Sequence, residues 1–130
     1  MTTFHFDMIF AVTFSAALAG LALSASALPF SDDQAVRAIV GETASHPGAM
    51  LAIGGAIRNR GTLEGVQGAN ARHNRRESET TFALARSAWA VSRTNDASRG
   101  ATHWFSGEVQ PGWAVKMKVT AKIGTFTFLK

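Results

Sequence analysis

A run of small and aliphatic residues between Pro47 and Gly61 narrows the possible folds of this chain sharply. Pro47 suits the first turn of a helix, because its missing amide would have no partner there, and Gly61 suits the left-handed residue that ends one. Gly54 and Gly55 lie inside this predicted helix, where each costs about 1 kcal/mol relative to alanine. Close packing against another helix would offset that cost, so we predict that this helix lies at the centre of the domain.

Two further helices are predicted, one on each side of the glycine-containing helix along the chain. Ser31 and Gln34 have the spacing of a capping box, and apolar residues then recur at helical spacing. This first helix therefore buries one face and carries Glu42 at its C-terminal end. A third helix is predicted from about Ser78 to Ser92, with a buried side formed by Phe82, Ala85, Ala88 and Trp89.

The stretch between the second and third helices, residues 65–79, is polar and rich in arginine. It offers few apolar side chains to bury, so we predict an exposed loop. Exposure to solvent is enough to explain the arginines in the middle of this loop, although they would also suit binding to phosphate or carboxylate groups.

The last thirty residues change from a helical pattern to a strand pattern. Apolar residues alternate with Thr and Lys at positions 119–123 and again at positions 126–128, on either side of the two-residue turn Gly124-Thr125. This pattern is typical of a β-hairpin with one buried face. The predicted fold class is therefore α+β, with about three helices followed by a C-terminal antiparallel β-hairpin.

Residues 1–27 are predicted to be a signal peptide rather than part of the fold. Positions 8–23 carry no charge, and their length suits a signal peptide better than a membrane span, which needs about 20 apolar residues. Ala25-Ser26-Ala27 then supplies a cleavage pattern. No Lys or Arg precedes Met8, so an uncleaved membrane anchor and a buried core helix stay as alternatives. We expect export to the periplasm, the cell envelope or the extracellular space, with no stable membrane span after processing.

Residues 28–130 are enough for one compact domain and too few for two. The sequence has no cysteine, which excludes thiol catalysis and any cysteine-based metal site. All 13 Lys and Arg lie after position 27, whereas one of the 9 acidic residues, Asp7, lies before it, so the domain is basic. Such a charge serves solubility or favours a polyanionic partner. Nucleic acid is not the predicted partner, because the chain has no Gly-Lys phosphate loop and no clustered basic helix.

Five short motifs occur in an order and spacing that resemble the cell wall hydrolase family that includes the spore cortex-lytic enzymes. They are Gly41-Glu42, residues 56–63, Thr94-Asn95-Asp96, residues 100–104 and residues 113–124. The resemblance implies a cell wall hydrolase domain at positions 28–130, with a lysozyme-like architecture. Its implied partner is the peptidoglycan glycan strand, which it would cleave as a hydrolase or a lytic transglycosylase. In that family the Glu of the Gly-Glu pair is the general acid, which implies a catalytic role for Glu42.

A single acid at position 42 is compatible with this chemistry. Protonating a glycosidic oxygen near neutral pH requires a raised affinity for protons, which the negative end of a helix dipole and an apolar cover from the second helix would give Glu42. Glycosidases usually need a second carboxylate, for which Asp96 and Glu108 are the candidates. A lytic transglycosylase needs only one, because the family mechanism has the muramoyl 6-hydroxyl attack internally to give a 1,6-anhydro product.

The residues predicted to bind substrate are Asn59, Thr102, His103, Trp104 and Trp113. Most of them also have a structural explanation. Asn59 is suited to contacting substrate or to capping the second helix. His103 is suited to polarising substrate, to orienting Glu42 or simply to packing. Trp104 and Trp113 suit stacking against sugar rings and packing in the core equally well.

No cofactor and no metal are predicted, because His46, His73 and His103 lie far apart without the spacing or acidic partner of a zinc-hydrolase signature. Arg60 is predicted to be structural, as a partner for buried carbonyls or a carboxylate. Phe126, in the last hairpin, stands where many members of the cell wall hydrolase family that this chain resembles have a histidine. If that histidine contributes to the substrate cleft, the resemblance implies a reduced turnover here. The competing hypothesis is an exported, basic, non-catalytic module that binds wall polymer on the same scaffold. We expect a monomer.

Overall fold

The computed structural model describes residues 28–44 and 46–130, so the predicted signal peptide lies outside the described residues. Within them, three α-helices pack with a three-stranded antiparallel sheet, which confirms the predicted α+β class. None of the described helices is long and apolar enough to cross a membrane.

Helix α1 (Asp32–Thr43) begins with the predicted capping box. The Gln34 amide donates to the Ser31 hydroxyl at 3.1 Å, and the Ser31 amide donates to the Gln34 side chain at 2.8 Å. Two backbone amides that the helix itself leaves without partners are thereby satisfied. The apolar face of α1 is buried, and Glu42 lies in its last turn.

Helix α2 (Met50–Arg60) is the predicted central helix, and its residues 52–57 are buried. It begins later than Pro47, because Pro47–Ala49 forms a separate 3₁₀ turn. Gly61 ends the helix in the left-handed conformation, with φ of 71°.

The two glycines of α2 allow close approach, as predicted, but to two different partners. A Cβ added to Gly54 would lie 3.2 Å from the Ser92 side chain, at the end of the third helix. A Cβ added to Gly55 would lie 2.3 Å from the Asp96 carboxylate. The second partner is therefore the loop after the third helix rather than a helix.

Helix α3 (Glu79–Val91) is joined to the other two helices through Trp89. The Trp89 indole nitrogen donates to Asp32 Oδ1 at 2.8 Å, and the Arg58 guanidinium lies 3.6 Å from the centre of the ring. Arg58 also donates to the Trp89 carbonyl at 2.6 Å and to the Ser92 hydroxyl at 2.7 Å. One buried aromatic side chain thus links all three helices by a polar contact at its edge and a cation on its face.

The sheet consists of β1 (His103–Ser106), β2 (Val119–Ile123) and β3 (Phe126–Leu129), in the order β1-β3-β2. Strands β2 and β3 form the predicted hairpin around the Gly124-Thr125 turn. Strand β1 adds a third strand on the far side of β3, and Trp104 pairs there with Phe128. This pairing carries residues 103–105 to the same side of the molecule as the end of α1.

The prediction of a fully exposed loop at residues 65–79 is wrong for its first half. Residues Gln67–Asn70 form a 3₁₀ turn that packs against α1, with Gly68 buried, and Arg72–Arg76 form a second 3₁₀ turn with exposed arginines. Few apolar side chains are needed for this packing, because it brings the backbone of the turn directly against the backbone of α1.

Candidate active site

Glu42 lies at one wall of a groove, and both oxygens of its carboxylate accept hydrogen bonds. The Gly68 amide donates to Oε1 at 3.0 Å, and the Trp104 indole nitrogen donates to Oε2 at 3.2 Å. The next residue, Thr43, is buried and its hydroxyl donates to the Ile39 carbonyl at 2.7 Å. The last turn of α1 is therefore anchored on its inner side while it presents Glu42 to the groove.

Two glycines make the contact between α1 and the 3₁₀ turn Gln67–Asn70 possible. A Cβ added to Gly41 would lie 1.8 Å from the Gly68 carbonyl oxygen, a distance that no real atom pair of this kind adopts. A Cβ added to Gly68 would lie 2.7 Å from the Ala38 carbonyl oxygen and from the Glu42 amide nitrogen. Because these neighbours are backbone atoms, a side chain at either position would force the two segments apart. The apolar cover expected from the second helix is thus a backbone cover from Gly68, together with the ring of Trp104.

The groove has a volume of about 790 Å³ and runs between the 3₁₀ turn Gln67–Asn70 and strand β1. One wall and the floor are formed by α1, the segment after α2 and the 3₁₀ turns, and the other wall by β1 and the loop that follows it. Its lining consists of Gly41, Glu42, Arg60, Gly65, Val66, Gln67, Gly68, Ala71, His73, His103, Trp104, Phe105, Pro111 and Trp113. Glu42 is the one acidic residue in this lining, as far as the chain is described.

Aromatic side chains form the wall opposite the 3₁₀ turn. Trp113 is 51% exposed, and its ring centre lies 5.7 Å from that of His103 and 6.2 Å from that of Phe105. A half-exposed indole held by two neighbouring rings offers a flat apolar surface to the groove. Trp104 lies deeper, with its nitrogen directed at Glu42.

His103 is a neutral group in this wall at neutral pH. Burial, and after it the positive charge of Arg60, lowers the pKa of His103 below its ordinary value. The Thr102 hydroxyl lies 2.9 Å from His103 Nδ1 and fixes the orientation of the ring. Thr102 does not line the groove itself, and its carbonyl accepts a hydrogen bond from Arg60 at 3.0 Å.

Arg60 has the structural position that was predicted for it, as a partner for backbone carbonyls. Besides its bond to Thr102, it donates to the Glu64 carbonyl at 2.6 Å, and its guanidinium lies 5.8 Å from the centre of the Trp104 ring. It therefore connects the end of α2 to strand β1, while one edge of it reaches the groove.

Asn59 does not line the groove. Its side-chain amide donates to Asp96 Oδ2 at 2.8 Å and to the Ala101 carbonyl at 2.9 Å, which connects α2 to the loop before β1. Asn59 thus neither caps α2 nor lines the groove. Contact between Asn59 and a substrate stays a prediction, and this position does not favour it.

Neither candidate for a second carboxylate lies in the groove. Partial burial acts to raise the pKa of Asp96, but hydrogen bonds from Asn59, Ser98 and Gly100 outweigh it and lower the pKa below its ordinary value. Asp96 is thus an ionised acceptor that organises a loop. Glu108 is exposed at a separate depression beside the β2-β3 hairpin.

Phe126 lies apart from Glu42, and the histidines in the described part of the chain form no metal site. Phe126 is buried, with its ring edge-on to His46 at 5.9 Å, and does not line the groove. A histidine missing from that position therefore removes no group from the groove. Within residues 28–44 and 46–130, no three His, Asp or Glu side chains are grouped closely enough to hold a metal ion.

Sequence reasoning did not assign Gln67, Gly68 or His73 to the site, although all three line the groove. One feature of the sequence does indicate a close neighbour of α1 such as Gly68. Gly41 lies inside a helix, where glycine costs about 1 kcal/mol relative to alanine, and this indicates a close backbone neighbour just before Glu42. The partner segment itself has no pattern that identifies it.

The fold is similar to that of the catalytic domain of the Bacillus cereus SleB protein, known from a crystal structure. The TM-score is 0.53 at 20% sequence identity, and the similarity covers 76% of this chain and 89% of that domain. The chain matches no protein-family model and none of the curated proteins. At this identity the similarity establishes a shared fold.

Proposed function

We propose that this protein cleaves the glycan strands of peptidoglycan as a lytic transglycosylase, with Glu42 as both the acid and the base. The observation that carries the proposal is a groove whose one acidic residue, in the described part of the chain, is held by a donor on each oxygen. The fold shared with a domain that is catalytic in its own protein supports an enzyme scaffold. The motif resemblance to cell wall hydrolases supports the choice of substrate.

In the first step the protonated Glu42 donates its proton to the glycosidic oxygen, and the bond between that oxygen and C1 of the muramoyl residue breaks. Positive charge then develops at C1 and the ring oxygen, as in other glycoside cleavages. The 6-hydroxyl of the same residue attacks C1, and its proton passes to the Glu42 carboxylate. The product is a 1,6-anhydro sugar, and the enzyme returns to its protonated state without consuming water.

The lining favours this route over hydrolysis by two carboxylates. A retaining enzyme needs its second carboxylate about 5 Å from the first, and an inverting enzyme needs it within about 10 Å, on the opposite face of the sugar. Asp96 and Glu108 lie outside the groove. An internal nucleophile removes the need for a second carboxylate, because the substrate supplies the attacking oxygen.

The other groove residues have roles that follow from their chemistry. Gly68 and Trp104 hold the Glu42 carboxylate in one orientation. Trp113 is the sugar-stacking surface, since its exposed face is apolar and flat. His103 Nδ1 is engaged by the Thr102 hydroxyl, which leaves Nε2 to form one hydrogen bond with a sugar hydroxyl.

The test is to incubate the purified protein with peptidoglycan and to identify the products by liquid chromatography and mass spectrometry. We expect 1,6-anhydro-muropeptides from the wild type, and a loss of at least about a hundredfold in rate for Glu42→Gln, since general acid catalysis contributes this much or more. Glu108→Gln makes the same chemical change outside the groove and serves as the control.

The outcomes separate the alternatives. Reducing ends in place of anhydro products would replace the transglycosylase by a hydrolase. Binding to peptidoglycan without cleavage, equal in the wild type and in Glu42→Gln, would mean that the protein is the non-catalytic wall-binding module. A circular dichroism spectrum shared by the wild type and both variants is required for either conclusion.

A further inference from the structure

The 3₁₀ turn Arg72–Arg76 presents a basic surface directly beside the groove. Arg72, Arg75 and Arg76 are exposed, and with Asn70 and Ala71 they line a shallow depression of about 500 Å³, which we call the arginine pocket. Ala71 also lines the Glu42 groove, as does His73. The arginine pocket therefore continues the groove outward from its rim.

The turn has a fixed position relative to Glu42. Asn74 lies in its middle, and the Asn74 side-chain amide donates to the Gly68 carbonyl at 3.0 Å and to the Arg37 carbonyl at 3.2 Å. Gly68 is the residue whose amide holds the Glu42 carboxylate. A ligand group in the arginine pocket would thus be positioned through a short, hydrogen-bonded path from the acid.

The three arginines are available to an anion. The ion pairs within the described part of the chain are Arg37 with Asp33 and Arg86 with Glu79, and neither involves the turn. No acidic side chain lines the arginine pocket among the residues described. Arginine presents paired N–H donors that match the two oxygens of a carboxylate, so the pocket suits this group well.

We infer that the arginine pocket binds the carboxylates of peptide stems on a glycan strand seated in the groove, an inference that rests on the proposed function. Stem peptides branch sideways from the muramoyl residues, so a strand that lies along the groove carries them past its rim. The pocket lies on that rim and has the complementary charge. Its role is to select strands that still bear peptides over strands from which the peptides have been removed.

The experiment measures binding with the full exported chain as the Glu42→Gln variant, so that the strand is not consumed. Three probes are compared at low salt: strands with intact stems, strands whose stem carboxylates are capped as methylamides, and strands stripped of stems by an amidase, whose newly exposed lactyl carboxylates are capped in the same way. We expect intact stems to bind about fivefold more tightly than both others, a size suited to a few exposed ion pairs. The additional substitutions Arg72→Gln and Arg75→Gln should abolish the preference and leave binding to stripped strands unchanged.

The matched control is Arg93→Gln with Arg99→Gln, which removes the same charge from exposed positions outside the groove and the arginine pocket. A preference lost equally in the control would reduce the effect to net charge and overturn the inference. So would equal binding of intact and capped stems, or stronger competition by teichoic acid or duplex DNA than by free stem peptide. Failure of the wild type to cleave, with the stem preference present, would instead overturn the proposed function and leave the pocket's ligand as inferred.

Discussion

Replacing Gly41 by alanine has two opposing effects on the free energy of unfolding, because it improves helix propensity and disturbs tertiary packing. Gly41 lies inside α1, and alanine is favoured there by about 1 kcal/mol from propensity alone. The added Cβ would nevertheless lie 1.8 Å from the Gly68 carbonyl oxygen, and such contacts essentially never come below 3.0 Å. The 3₁₀ turn Gln67–Asn70 must therefore move away from α1 by more than an ångström.

The expected magnitude follows from what this movement breaks. Overpacking of a close contact costs about 1–3 kcal/mol, and here the neighbour is backbone that no rotamer change can relieve. The Gly68 amide would also leave Glu42 Oε1, now 3.0 Å away, and a hydrogen bond of this kind is worth about 0.5–1.5 kcal/mol. After the propensity gain, Gly41→Ala should destabilise the protein by about 1–3 kcal/mol and lower the melting temperature by several degrees.

Urea unfolding followed by circular dichroism measures this change, and Gly48→Ala is the control. Gly48 also lies in a short helical turn, with nothing within 4 Å of the position a Cβ would take, so alanine there should be neutral or stabilise by less than about 1 kcal/mol. Peptidoglycan cleavage by Gly41→Ala should fall more than its folded fraction does, because Glu42 loses one of its two donors. A stabilised and fully active Gly41→Ala would refute the close approach of Gly68 to α1.

Two further substitutions test the site and its support. Trp104→Phe keeps an aromatic ring but removes the donor to Glu42, so kcat on peptidoglycan should fall roughly tenfold while the unfolding free energy falls by only about 1 kcal/mol; unchanged turnover would mean that the indole nitrogen does not position the acid. Asp96→Asn should cost about 1 kcal/mol at pH 7, a value discounted for solvent exposure. Because the pKa of Asp96 is lowered by folding, this stabilisation is present above about pH 4 and is lost as the pH falls through the folded-state pKa. Urea unfolding at pH 7 and pH 3 measures it, and an equal loss at both values would contradict the role of the ionised carboxylate.

The helices and the hairpin could be predicted because each is specified by residues a few positions apart. The capping box of Ser31 and Gln34, the left-handed Gly61 and the turn at Gly124 depend on local hydrogen bonds and dihedral angles, and all three are found. No residue pattern predicts the four-residue strand β1, since so short a segment carries no clear alternation and exists because it pairs with β3. The 3₁₀ turn over α1 was missed for a similar reason, as its packing depends on backbone contact rather than on apolar side chains.

Residue patterns along the chain were enough to predict the α+β class and the central position of α2, and the motif resemblance was enough to name Glu42 as the candidate acid. The three-dimensional fold supplied what surrounds that acid: the donor from Gly68, 26 residues away along the chain, and the donor from Trp104, 62 residues away. It also decided that Asp96 and Asn59 bind each other outside the groove instead of facing a substrate. Periodicity and caps report on neighbours within one or two turns, whereas a site is formed by contacts between segments whose separation along the chain leaves no local pattern.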